Sequence, residues 1–153
     1  MKSLSDSAAL GEILNRLDRL QPDAQAHWGK MSARQMVCHL ADSFLVVLGE
    51  KYASSATGLF QRTLMKWGAL YVPLPWPKSI PTRPEIAQAE GGGTPPADFD
   101  GDRQALVRAT ERFCDPCRDC SGDVHPIFGG LSRAEWMRWG YLHMDHHLRQ
   151  FGV

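Results

Sequence analysis

The sequence predicts an all-α fold, a helical bundle carrying one long loop. Three observations lead there. Apolar residues recur at helical spacing through most of the chain. Two segments open with complete helix-start signals, and proline is concentrated in one stretch. Of ten prolines, seven fall between Pro73 and Pro96, a region that also holds Gly91-Gly92-Gly93. Residues 72–100 therefore cannot be regular helix or inner strand, and they read as a Pro/Gly-rich loop insertion in a single domain over 1–153. No stretch alternates polar and apolar residues as a half-buried strand does.

The elements follow in order. A first helix over about Ser7 to Leu20 places Leu10, Ile13, Leu14, Leu17 and Leu20 on one face, and Gln21-Pro22-Asp23 stops it. In the second, Ser32 and Gln35 form a capping box with Met31 and Met36 as the hydrophobic staple, and the helix should reach Gly49. A third, from about Thr57 to Tyr71, carries Phe60, Leu64, Trp67 and Tyr71. After the loop, Asp100 or Asp102 caps a fourth helix through Leu106, Val107, Thr110 and Phe113, ended by Pro116. The last repeats the strong signal, with Ser132 and Glu135 as capping box, Leu131 and Trp136 as staple, and Gly152 as terminator after Phe151.

Composition narrows the function. Seventeen basic residues balance seventeen acidic ones. A neutral chain without a Lys/Arg run is no dedicated nucleic-acid binder, since that affinity comes mainly from phosphate neutralisation. No apolar run approaches the roughly 20 residues that span a bilayer, and the start has no secretory h-region. Cys114, Cys117 and Cys120 crowd together while Cys38 lies far away, a poor layout for disulfide staples. A cytoplasmic protein is the expectation. The three clustered cysteines lack a fourth ligand at cluster spacing and read as loop thiols. The tryptophans read as core and loop anchors.

Histidine placement is more informative. At about 100° per residue, Trp136, Gly140, His143, His147 and Phe151 fall in one stripe roughly 80° wide, with His146 about 60° outside it. His143 and His147, four apart, can therefore aim at one ion. His39 lies within or beside the buried face of the second helix, formed by Met36, Leu40, Ser43, Phe44 and Val47. Three imidazoles with an open position would make a catalytic metal site. Core histidines held by backbone carbonyls would give the same pattern. Asp42 and Gln150 each follow a candidate ligand by three residues and can reach its second ring nitrogen; both positions also suit a solvated helix face. His125, in a loop before Pro126, suits a pocket acid or base, or plain loop packing. His27 and His146 read as surface or structural.

These residues resemble a known group. Trp28-Gly29-Lys30-Met31-Ser32, then Gln35-Met36-Val37-Cys38-His39-Leu40, and the C-terminal His143-Met144-Asp145-His146-His147-Leu148-Arg149-Gln150 resemble the DinB/YfiT-like superfamily of metal-dependent four-helix bundles. His125-Pro126-Ile127-Phe128-Gly129-Gly130-Leu131-Ser132, followed by Glu135-Trp136, resembles a branch that is a domain of unknown function. The resemblance runs from about Leu10 to Gly152. It implies a four-helix bundle with an additional short helix, and His39, His143 and His147 holding one divalent transition metal, zinc or nickel foremost, manganese or iron as alternatives. It implies a metal-dependent enzyme, a hydrolase or a thiol-dependent transferase or isomerase acting on a small molecule. The rival is a non-catalytic bundle that binds a metal or small molecule. Relatives of this kind often dimerise, and Phe60, Trp67 and Tyr71 offer a homodimer patch.

Overall fold

The computed structural model describes residues 1–78, 80–120 and 123–153. Among them, five α-helices and a two-stranded hairpin make up the regular structure: α1 (Ser7–Arg19), α2 (Ala33–Val47), α3 (Lys66–Tyr71), α4 (Phe99–Cys114), β1 (Val124–His125), β2 (Gly129–Gly130) and α5 (Arg133–Gln150). A wider π turn, Gln61–Met65, leads into α3, and two 3₁₀ turns, Pro84–Ile86 and Gln88–Glu90, punctuate the Pro/Gly-rich segment. None of these helices is long and apolar enough to cross a membrane.

The strongest local signals produce the best-formed ends. Ser32 accepts from the Gln35 amide while the Gln35 side chain accepts from the Ser32 amide, and Ser132 and Glu135 repeat the exchange at α5. Each exchange satisfies two helix-terminal amides that would otherwise lack partners. At α4 the cap is Asp98, which accepts from Gly101 N at 2.8 Å. Asp102, expected as a cap, instead reaches back to the Ala97 amide at 3.0 Å. The third helical run starts at Leu59, two residues later than Thr57, and passes through the π turn into α3; the Ser55 and Thr57 hydroxyls bond each other at 3.0 Å just before it. The hairpin was not foreseen: two-residue strands are too short to show alternation.

α2 packs along α4, α1 along α5, and α2 and α3 both touch α5. Leu40 and Phe44 of α2, Phe113 of α4, and Trp136, Met144 and Leu148 of α5 are fully or almost fully buried at this junction. Phe113 packs against Phe44, Trp136 and Trp139 with ring centroids 4.9–6.4 Å apart. Arg16 ties α1 to α5 through Asp145 at 2.7 Å and the Val153 carbonyl at 2.9 Å. Phe60, Leu64 and Trp67 are largely exposed. The Pro/Gly-rich segment buries Ile86, Ala87 and Gln88 against α2.

Candidate metal centre and cavity

α2 and α5 bring His39, His143 and His147 together. One nitrogen from each lies within 4.8 Å of the other two. The His39 and His143 Nε2 atoms are 3.3 Å apart. Two nitrogens bound tetrahedrally to zinc at about 2.0–2.1 Å stand about 3.3–3.4 Å apart, so this spacing suits a shared ion. Among the described residues this is the one such group of histidine, cysteine and carboxylate atoms.

Two of the rings are locked in the orientation that metal ligation needs. His39 Nδ1 lies 3.0 Å from the Ile86 carbonyl, which can only accept, so the proton sits on Nδ1 and the lone pair on Nε2. His147 Nδ1 lies 2.9 Å from Gln150 Oε1, and Gln150 Nε2 donates to the Trp28 carbonyl at 2.6 Å, which fixes the amide's direction. Outer partners of this kind routinely orient ligating imidazoles. His143 can offer one Nε2 proton to these two lone pairs, so one lone pair stays unmatched. Its Nδ1 is buried without a partner. An ion at the centre would accept all three Nε2 lone pairs. The residues fit a divalent metal.

The electrostatics agree with neutral ligands. Burial is the largest cause lowering the pKa of all three rings; for His143 the neighbouring His147 and His39 add to it, and for His147 the charge of His39 does. Neutral imidazole is the ligating form. Burial pushes the Cys38 thiol up to about 12 and Cys114 up to about 11, so neither offers a thiolate at neutral pH.

Asp42 is buried but takes no part in orienting His39 directly. Its carboxylate accepts from Lys51 Nζ at 2.6 Å and from Thr94 N and Oγ1, each at 2.7 Å. Gln35 Nε2 meanwhile donates to the Gln88 carbonyl at 3.1 Å. These bonds clamp the segment around Ile86 onto α2 and so hold the carbonyl that His39 uses. Gly93 belongs to this clamp: its φ is +82°, and a Cβ there would fall 2.6 Å from Asp42 Oδ2.

The three histidines line the wall of a cavity of about 590 Å³. Apolar side chains dominate the rest, among them Met65, Leu74, Trp76, Ile86, Ile127 and Trp139. Trp76 is held by an Nε1 bond to the Ala69 carbonyl at 2.8 Å and lies beside both His143 and His146. His146, read from the sequence as surface or structural, is half-buried in this wall between Trp28 and Trp76. His125 is also in the wall, 6% exposed, with Nδ1 accepting the Ile127 and Phe128 amides at 3.1 Å each. His27 lies outside the cavity, near Trp28 and Gly152.

Residues 2–152 match the model of a family described as "Protein of unknown function (DUF1569)". No curated protein and no solved structure matches the chain.

Proposed function

The chain belongs to the DUF1569 family, whose function is not described, and from the site itself we propose a metal-dependent enzyme acting on a small, largely apolar molecule. The observation that carries this reading is the convergence of three neutral imidazoles on the wall of an apolar cavity. Three protein ligands leave a coordination position free, and that position belongs to catalytic rather than structural sites. A divalent ion held by His39, His143 and His147 supplies Lewis-acid chemistry to a substrate oxygen, water or thiolate there. The protein's own contribution is positional. Ile86 and Gln150 hold two ligand tautomers, while Trp76, Ile127 and Trp139 exclude water and pack the substrate body.

The fold reads as a DinB/YfiT-like four-helix bundle of α1, α2, α4 and α5, with α3 as the additional short helix. The α2–α4, α1–α5 and α2–α5 packing supports it, as does the placing of one histidine on α2 and two on α5. That group includes thiol-dependent transferases and isomerases as well as proposed hydrolases, so the fold does not choose the reaction.

X-ray absorption on tag-free, zinc-reconstituted protein tests the reading. Three imidazole nitrogens plus an exchangeable light-atom ligand are expected. A fourth protein ligand closing the site would favour a non-catalytic bundle instead.

A further inference from the structure

We infer that His125 is a fixed hydrogen-bond donor in the cavity wall, positioning a neutral acceptor oxygen of the carbonyl class on an otherwise apolar ligand. Its Nδ1 accepts the Ile127 and Phe128 amides, so in the neutral ring the proton lies on Nε2. The ring cannot turn freely. Phe128 stacks on it at a centroid distance of 4.6 Å, and Trp136 and Trp139 pack at 5.5 and 5.1 Å. Only 6% of the residue is exposed, yet it lines the cavity, and among the described residues no acceptor reaches Nε2. An N–H in an apolar cavity wall without a protein acceptor is a donor that a bound oxygen can engage.

The surroundings select the ligand's chemistry. Arg83 is the one formally charged residue among those lining the cavity; it donates to Ser54 Oγ at 2.7 Å, and its Nε is buried without a partner. In a wall this apolar, a charged oxygen would lose more hydration than one hydrogen bond from a neutral imidazole returns. A carbonyl oxygen loses far less. Proton transfer is a poor alternative role for this ring: Nδ1 is occupied, and burial pushes its pKa down to about 3.

The inference rests on the reading of the cavity as the substrate site but not on the metal. It is tested on metal-free protein, so its failure and the failure of the metal reading are separate results. The probes are acetophenone and ethylbenzene, which differ by one carbonyl, titrated calorimetrically. Wild type should bind acetophenone about five-fold more tightly, the usual worth of one net hydrogen bond. His125→Asn keeps an acceptor for the two amides but lacks the distal N–H; it should lose that preference and still bind ethylbenzene. In wild type alone, ring ¹⁵N spectra should place the His125 proton on Nε2. Equal affinity for the two probes, binding of neither, a preference that survives in His125→Asn, or a proton on Nδ1 would each overturn the inference.

Discussion

A Cβ on Gly29 would fall 2.5 Å from Gln150 Nε2, and its absence lets Gln150 bond the Trp28 carbonyl while its Oε1 holds His147. Gly29 has φ +82°, so the residue is needed both for its backbone and for the space it leaves. A turn before α2 thus governs a candidate ligand near the end of α5. Gln150→Leu, and Gly29→Ala through the displaced amide, should each weaken metal binding about 10–100-fold, the usual cost of losing an outer partner. Competition titration with a chromophoric chelator measures this. Wild-type affinity in both variants would show that the Gln150 bond does not orient His147.

Asp42 works at a distance. Asp42→Asn keeps the shape but removes the charge facing Lys51 and spoils one Thr94 bond. We expect a stability loss of about 1–3 kcal/mol. Amides around residues 86–94 should exchange faster while those in the centre of α5 do not change relative to global stability. Uniform acceleration across the chain would contradict the clamp.

Ser32→Ala and Ser132→Ala should each cost about 1 kcal/mol, the worth of an N-cap, by urea denaturation. Each substitution removes the acceptor of an N3 amide. Two losses near zero would mean that tertiary packing alone fixes these helix starts.

Acid should destabilise metal-free protein well before its carboxylates titrate. The folded-state pKa values of His39, His125, His143 and His147 are lowered, with His125 at about 3. An unfolded histidine takes up a proton as pH falls below about 6.5, whereas the folded ring stays neutral, so stability is full above that pH and falls as pH drops toward the folded values. Each ring that stays neutral contributes about 1.4 kcal/mol per pH unit in that window. Urea midpoints between pH 7 and pH 5 should fall, and less steeply in His125→Asn. A flat profile would contradict neutral burial.

The sequence made some of this legible and hid the rest for physical reasons. Both capping boxes were readable because all their atoms lie within four residues. The turn of α5 set His143 and His147 on one face by arithmetic alone. Ile86 was invisible because its contribution is a backbone carbonyl, which any residue type offers. The role of residues 72–100 was hidden because its bonds, such as Asp42–Thr94 and Gln35–Gln88, join positions more than 50 residues apart. Helix geometry set His146 outside the metal-facing stripe, but could not show that Trp28 and Trp76 flank it in the cavity wall.

The most direct test is titration of tag-free apo protein with zinc, nickel, manganese and iron at neutral pH. Wild type should take up one equivalent of at least one of these ions with micromolar or better affinity. His39→Ala, His143→Ala and His147→Ala should each lose most of it, and His27→Ala and His146→Ala should keep it. Ligation needs neutral rings, so affinity should hold through pH 6.5 and fall only as pH approaches the lowered folded-state pKa values of His39, His143 and His147. Binding that survives in His143→Ala, or wild type that binds none of the four ions, would contradict the account.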